Sequence, residues 1–242
     1  MRNLRTYTLE GIVIRRRNIG EKDRILSLFT DEEGKIDVIS KGCRRPGSRL
    51  CSFSDIGMIA RFGLHKAKFL PIVSEAMPIY IPDGAQGHFN KTERLGYMFK
   101  VADKLFHEAE PHKKTYNILK QAVETISDGD FQLVFLCFLS SVIEDLGLQP
   151  ELYSCSICSK EINSTSKIKF SHKGGIAHQD CSATDCEEVT TDDIKLLRII
   201  FEKPFDQISK SKVSDHVFKK VYGIVKSYIE WHFGDILPQK IL

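Results

Sequence analysis

The sequence lacks the signatures of the common nucleotide-binding and hydrolytic enzymes. It contains no G-x-x-x-x-G-K-[ST] segment, and its 16 glycines never form G-x-G-x-x-G, so no site that cradles nucleotide phosphates is predicted. It also contains no G-x-S-x-G nucleophile elbow and no His-x-Glu pair of the kind that zinc deaminases use. No isolated pair of carboxylates indicates acid–base catalysis. We therefore predict a protein that is not an enzyme.

Long hydrophobic runs are also missing. The longest uninterrupted apolar run, Leu133 to Leu139, is far shorter than the roughly 20 residues that a membrane-spanning helix needs. The N-terminal residues Met1 to Arg5 form no apolar core, which argues against a secretory signal. We expect a cytoplasmic protein without membrane contact.

Acidic and basic residues nearly balance over the whole chain, but they are unevenly distributed. The net charge is +3, yet residues 1–70 carry 15 Lys and Arg against 8 Asp and Glu. Residues 71–242 carry 20 Lys and Arg against 24 Asp and Glu. The positive excess near the N-terminus favours a polyanionic ligand there, with an ordinary solvated surface as the alternative.

Short apolar and β-branched segments alternate with turn residues in the first part of the chain. They predict five strands, at Thr8–Arg15, Ile25–Thr30, Lys35–Ser40, Ile56–Phe62 and Phe69–Ala76. The polar segment Asp31–Gly34 predicts a hairpin turn between the second strand and the third. Five short strands of this kind favour a five-stranded β-barrel of the OB type.

Basic residues crowd the ends of the first three predicted strands and the loop after the third. Because Lys and Arg neutralise phosphates and release counterions, we predict that nucleic acid is bound by Arg15, Arg16, Arg17, Lys22, Arg24, Lys35, Lys41, Arg44, Arg45 and Arg49. The loop Lys41–Arg49 carries this prediction best, since its glycines bring backbone amides close to an anion. Four aromatic residues could stack on unpaired bases, although each taken singly is better explained as a core residue: Tyr7, Phe29, Phe53 and Phe62.

Apolar residues recur at helical spacing in five later segments. The predicted helices cover residues 90–110, 113–126, 130–146, 190–203 and 214–233. Asp130 is expected to cap the third helix, which has little polar face and should be buried. The fourth begins at Thr190 with the character of a capping box. Together with the barrel, these helices predict an α+β protein.

The cysteines predict a metal site. Their number, seven, is odd, and without a secretory signal such a pattern favours a metal over disulfides. Cys155 and Cys158 form a C-x2-C pair, and His178, Cys181 and Cys186 follow after a polar loop. We predict one structural zinc ion, because four protein ligands leave no open position for water. A redox pair or unrelated free thiols are the alternatives. The fourth ligand is either His178 or Cys186.

Four spaced motifs occur in the first fifty residues. They are Gly11-Ile-Val-Ile-Arg15, Gly20-Glu21-x-Asp23-Arg24, Thr30-x-x-x-Gly34-Lys35 and Lys41-Gly42-x-Arg44-Arg45-x-x-Ser48. In this order they resemble the N-terminal domain of the bacterial recombination mediator RecO family. The resemblance implies an OB-fold followed by a helical domain that carries a zinc module. Members of that family often read G-G-x-x-C-x-x-C where this chain has Gly174–Cys181, so His178 stands at a usual cysteine position, and we prefer it as the fourth ligand.

The same resemblance implies a function. Members of the family mediate DNA repair and homologous recombination in the RecF pathway, where they bind single- and double-stranded DNA and anneal complementary strands. They act with RecR, and in many bacteria RecF, to load RecA onto DNA coated by single-strand binding protein, whose acidic C-terminal tail they also bind. A nucleoid-associated protein is therefore implied.

The motifs and periodicities together suggest a domain organisation. We expect an OB domain at residues 1–80, a helical domain at 81–150 and 188–242, and a zinc-binding insertion at 151–187. An RNA-binding or ribosome-associated protein with an OB-fold and a zinc ribbon is the alternative function, and it would prefer structured RNA to single-stranded DNA. A protein-bridging adaptor is a further alternative.

Overall fold

A computed structural model of the chain describes residues 6–81, 89–125, 131–163, 167–181, 186–208 and 212–237. The described residues divide into two compact units, one within Met1–Asp128 and the other within Gly129–Lys240. We call them the barrel unit and the helical unit. The predicted domain bounds at residues 80, 150 and 187 stay predictions, and the predicted helix cap Asp130 lies outside the described residues. No helix among the described residues combines the length and the apolar character that crossing a bilayer requires.

The barrel unit contains a closed five-stranded barrel. Its strands are β1 (Thr6–Ile19), β2 (Asp23–Thr30), β3 (Gly34–Ser40), β4 (Ile59–His65) and β5 (Ile72–Tyr80). They lie in the order β1-β2-β3-β5-β4, and antiparallel pairing of β1 with β4 closes the barrel. The contact between β3 and β5 is parallel. The predicted α+β class with an N-terminal OB-type barrel is confirmed.

Alternation along the strands fills the barrel with apolar side chains. The inward-facing core consists of Leu9, Val13, Leu26, Leu28, Ile36, Val38, Met58, Ala60, Phe62, Leu64 and Val73. Every residue of β2 from Ile25 to Thr30 is buried, because its outer face is covered as well. Phe29 points outward and its ring centroid lies 5.3 Å from that of Phe106. β2 therefore has no solvent-exposed apolar face.

The fifth strand begins later than its sequence pattern predicts. It starts at Ile72 rather than Phe69, so the prediction was wrong by three residues. Pro71 has no N–H group to donate, and its carbonyl oxygen instead accepts a hydrogen bond of 2.8 Å from the Ile39 backbone N–H. The preceding segment is left as a loop between β4 and β5.

Two helices, α1 (Phe89–Leu105) and α2 (Lys113–Thr125), belong to the barrel unit, and the segment that joins them packs on the turn between β2 and β3. Gly34 has a φ of 65°, and a Cβ atom there would lie 1.8 Å from the carbonyl oxygen of Glu110. Only glycine permits this approach. Beside it, the Ala109 N–H donates to the Lys35 carbonyl oxygen at 3.1 Å. The close approach fixes the end of α1 against the barrel.

A charged network ties α2 to the outer face of β1. The carboxylate of Glu10 accepts hydrogen bonds from the Lys120 ammonium at 2.5 Å and the Tyr116 hydroxyl at 2.8 Å. Burial acts to raise the pKa of Glu10, but these two hydrogen bonds and the positive charges of Lys120 and Arg61 together hold that pKa below its usual value. Burial, together with the same carboxylate, raises the pKa of Tyr116. The ionised glutamate is therefore the form that the fold stabilises.

The helical unit contains four helices and a small sheet. The helices are α3 (Phe131–Asp145), α4 (Thr191–Glu202), α5 (Phe205–Ile208) and α6 (Asp215–Phe233), and the sheet strands are β6 (Ile168–Ser171), β7 (Gly175–His178) and β8 (Cys186–Glu188). The predicted burial of α3 is confirmed, since residues Phe131 to Ile143 are buried apart from Gln132. The predicted capping box is confirmed too: Thr190 and Asp193 exchange side-chain to backbone hydrogen bonds. The short helix α5 was not predicted.

We predict that Glu10→Gln destabilises the barrel unit by about 1 kcal/mol at neutral pH, because the amide loses the charge that Lys120 neutralises. The folded-state pKa of Glu10 is depressed, so its contribution is present above the ordinary value of 4.5 and is lost as the pH falls through the lower folded value. Urea unfolding of both proteins, followed from neutral pH to below 4.5, measures the difference. The exposed Glu32, changed to Gln, is the control. A gap between wild type and Glu10→Gln that stays constant with pH would contradict the assignment.

Candidate nucleic-acid interface and metal centre

The segment Lys41–Arg49, which we call the basic loop, is anchored to the turn between β1 and β2. The Gly42 N–H donates to the Asp23 carboxylate at 2.7 Å, and the Arg44 N–H donates to the Lys22 carbonyl oxygen at 3.0 Å. The Arg44 guanidinium also donates to the Gly20 carbonyl oxygen at 3.1 Å. Cys43 is fully buried between these contacts. The loop is therefore held in one conformation by its backbone, while its charged ends stay in solvent.

Strand register brings the ends of the first three strands to one place. Asn18 of β1 is paired with Arg24 of β2, which in turn is paired with Ser40 of β3. The basic loop starts at the next residue. Cations that are distant in sequence, such as Lys22 and Lys41, consequently share one end of the barrel. Lys35 lies at the opposite end of β3, where it is paired with Phe29.

Five of the ten predicted cations are exposed and form no ion pair with any residue that the structure describes. They are Lys22, Lys41, Arg44, Arg45 and Arg49. All five belong to the basic loop or to the turn that it packs against. Like charges held this close without an ion-pair partner raise the local positive potential, which is the condition for binding a phosphate backbone.

The other five cations lie in ion pairs with aspartates. Arg16 and Arg24 both reach Asp55, and Arg15 and Arg17 each lie 3.9 Å from Asp37. The side chains of Arg15, Arg16 and Arg17 are exposed, so their pairs are weak and can exchange for phosphate contacts. The Arg24 side chain is only 16% exposed and is not available in this way.

Lys35 differs from the rest of the predicted set. Its side chain is 13% exposed, and its ammonium donates to the Asp103 backbone oxygen at 2.5 Å and to the Asp103 carboxylate at 3.3 Å. Arg15 contacts the same carboxylate at 3.1 Å. The surroundings of Lys35 are those of a residue that joins β3 to α1.

The aromatic residues near the basic loop mostly serve the core. Phe29 and Phe62 are fully buried, so stacking on bases is excluded for them and their explanation as core residues is confirmed. Tyr7 and Phe53 are half-buried and pack against the barrel core. Sequence spacing could not separate these roles, because inward and outward residues of β2 are both apolar.

Three cysteines and a histidine come together in the helical unit. The sulfur atoms of Cys155, Cys158 and Cys181 and a ring nitrogen of His178 all lie within 4.8 Å of one another. The Nδ1 atom of His178 is 3.5 Å from the Cys158 sulfur and 3.9 Å from the Cys181 sulfur. Ligands around tetrahedral zinc are separated by about 3.5–3.8 Å, given metal–ligand bonds of about 2.3 Å to sulfur and 2.0–2.1 Å to nitrogen. These four residues could hold a metal ion, and the donor set fits zinc.

The thiols of this group have unequal proton affinities. Burial acts to raise the pKa of Cys155, but backbone N–H groups, including those of Cys158 and His178, lower that pKa to about 6. Desolvation and the neighbouring Cys155 and Cys158 sulfurs raise the pKa of Cys181 to about 11. With its pKa raised, Cys181 is a thiolate at neutral pH only beside a cation, and a bound metal would supply that charge.

Backbone pairing builds the scaffold of the group, and the sequence signals for it are weak. Glu151 exchanges backbone hydrogen bonds of 2.8 Å with Gly174 and Ile176, so the segment before the first cysteine pair joins the β7 hairpin. Gly175 has a φ of 119°, and a Cβ atom there would lie 2.2 Å from the Glu151 carbonyl oxygen. The side chain of Glu151 accepts hydrogen bonds from the N–H groups of Tyr153 and Ser154. The Gly174-Gly175 pair marks this junction in the sequence, whereas nothing marks Glu151.

Cys186 lies outside the four-residue group. It is the first residue of β8 and is paired with Ser171 of β6. Among the described residues, the group therefore contains His178 and not Cys186 as the fourth member.

Comparisons with known proteins agree with these features. Residues 1–81 match the family model described as recombination protein O N terminal, and residues 89–240 match the model described as recombination protein O C terminal. The chain is 25% identical over 235 residues to the DNA repair protein RecO of Desulforamulus reducens, covering 95% of this chain and 90% of that protein. It is 27% identical over 232 residues to the DNA repair protein RecO of Alkaliphilus metalliredigens, covering 94% of both. The protein of the same name from Bacillus cytotoxicus is 25% identical over 239 residues, covering 96% of this chain and 94% of that protein.

We predict that His178→Ala lowers the bound metal well below about one ion per chain, because three thiolates alone leave the tetrahedral site incomplete. Cys186→Ala is the matched control and should keep its metal, since Cys186 lies outside the group. Metal content after extensive dialysis, measured by atomic emission, gives the comparison. If His178→Ala kept its metal and Cys186→Ala lost it, Cys186 and not His178 would be the fourth ligand.

Proposed function

The chain belongs to the recombination protein O (RecO) family, which comprises DNA repair and recombination proteins rather than enzymes, and on this premise we propose that it binds single- and double-stranded DNA and anneals complementary strands. The observation that carries the proposal is the set of five unpaired cations on and beside the basic loop. Membership of the family indicates DNA as the ligand, and the cluster of cations indicates the surface that would bind it.

Annealing by this surface needs no nucleotide hydrolysis. Two complementary strands repel each other through their phosphates, and a strand neutralised by Lys and Arg loses part of that repulsion. The cations of the basic loop project from an anchored backbone, so the loop backbone need not be ordered when DNA binds. The exposed pair of Arg16 with Asp55 offers a further cation that can exchange onto a phosphate. Binding should be sensitive to salt and largely independent of sequence.

We propose zinc as the metal of the helical unit, held by Cys155, Cys158, His178 and Cys181. Thiolate and imidazole ligands suit zinc, and four protein ligands make the site structural. Zinc bound there supplies positive charge and cross-links two segments. Backbone contacts of Glu151 and Gly175 hold the first cysteine pair beside β7.

The partners that we propose follow from the family. They are RecR, the acidic C-terminal tail of single-strand binding protein, and, in the loading of a recombinase, RecF and RecA. With DNA as the ligand, the site of action would be the nucleoid.

We predict that replacing Arg44, Arg45 and Arg49 together by Glu abolishes most annealing of DNA that is coated with single-strand binding protein. Loss of about three phosphate contacts should also reduce the slope of log affinity against log salt for single strands by about 2. Strand annealing and fluorescence anisotropy at several salt concentrations measure the two effects. The control variant changes the exposed Lys203, Lys212 and Lys219 of the helical unit to Glu, which alters the net charge equally.

Three results would count against the proposal. Wild-type protein without affinity for oligonucleotides at low salt would refute DNA binding. Equal loss of activity in both triple variants would show that net charge and not the basic loop matters. Stronger binding to structured RNA than to single-stranded DNA would favour the RNA-binding alternative.

A further inference from the structure

The loop between β4 and β5, residues Lys66–Pro71, presents an exposed aromatic ring. Phe69 is 86% exposed, more than any other large apolar side chain among the described residues. An aromatic ring that stays in water contributes no burial of apolar surface, so it does not stabilise the fold in the way that a core residue does. Phe69 was predicted as a strand residue, and the loop that carries it was not recognised from the sequence.

One cation lies over this ring, a second lies in the same loop, and the loop contains no acid. The Lys68 ammonium lies 5.4 Å from the centroid of the Phe69 ring, and the Lys66 ammonium lies 5.5 Å from that of Tyr7. The loop sequence Lys-Ala-Lys-Phe-Leu-Pro contains no Asp or Glu. An exposed ring in a loop with two lysines is complementary to a nucleotide, whose base can stack on the ring while its phosphate contacts an ammonium group.

The loop is joined to the strand from which the basic loop starts. The carbonyl oxygen of Pro71 accepts the hydrogen bond of Ile39, and Ile39 precedes Lys41 by two residues. Counting about 3.3 Å for each extended residue and about 5 Å between paired strands, Phe69 lies within about 20 Å of Lys41 along this path. OB-folds bind roughly 4–16 nucleotides and commonly use the loop between their fourth and fifth strands. A single strand on the basic loop can therefore reach Phe69.

We propose that Phe69 is a stacking site for an unpaired nucleobase of the bound strand, with Lys66 and Lys68 contacting its adjacent phosphates. The inference rests on the proposed function, since it adds a base contact to the phosphate contacts of the basic loop. It gives the barrel a way to tell single strands from duplex: bases in a duplex are already stacked and paired, whereas an unpaired base is free to meet the ring.

Replacing Phe69 by Ala should weaken binding to an oligo-dT of about 16 nucleotides by about 5- to 150-fold, the range for loss of one base stack. Affinity for a blunt duplex should stay within about twofold, and the salt slope should not change, because no phosphate contact is lost. Phe69→Trp should restore the affinity for oligo-dT. The control is Met77→Ala, which removes another exposed apolar side chain of the same unit. Anisotropy titrations of all four proteins give the comparison.

A direct readout uses the single tryptophan of the chain. In a Trp231→Phe background, Phe69→Trp places the only indole in the loop, and oligo-dT should quench its fluorescence while duplex should not. Unchanged oligo-dT affinity of Phe69→Ala, with binding lost in the basic-loop variant, would overturn the stacking site and leave the proposed function intact. Equal weakening for single strand and duplex would also overturn it. Absence of oligonucleotide binding by wild-type protein would instead refute the proposed function itself.

Discussion

Closure of the barrel through one long, bent strand is the constraint on which the rest of the barrel unit depends. β1 pairs with β4 over Thr6 to Ile12 and with β2 from Gly11 onward, so one strand is hydrogen-bonded to both of its neighbours in the barrel. The register shifts between Val13 and Arg15, which marks the bend. At the bend, Val13 still donates to the Met58 carbonyl oxygen at 3.0 Å. Because closure decides which strand ends meet, it also decides where the cations accumulate.

Like charges at one end of a barrel cost stability, and the fold limits that cost with a few aspartates. Asp55 forms ion pairs with Arg16 and Arg24. Asp103 forms ion pairs with Lys35 and Arg15. The side chain of Asp23 is used differently, since it accepts the backbone N–H of Gly42 and holds the basic loop in place. The loop is therefore stabilised through its backbone and through buried Cys43, and its cations need no acidic partner of their own.

Features that depend on local pattern could be predicted from the sequence, and those that depend on distant contacts could not. The apolar face of α3 and the capping box at Thr190 are local, and both were predicted. The basic residues could be listed too, but not sorted: nothing near Lys35 in sequence reveals that Asp103 neutralises it. The metal ligands could be predicted only in part. Spacing produced five candidates, the family resemblance favoured His178 over Cys186, and the path of β7 and β8 separates the two residues in space.

Charge and stacking would give the proposed DNA surface two separable properties. Phosphate contacts act on any strand and weaken as salt rises, since the gain comes from released counterions. A ring such as Phe69 adds affinity that salt barely changes and that only an unpaired base can use. During annealing, two strands become a duplex, and the stacking contribution disappears because the base has found its complement. A surface with both contributions therefore loses its stacking contact once two strands have annealed, which would favour release of the duplex.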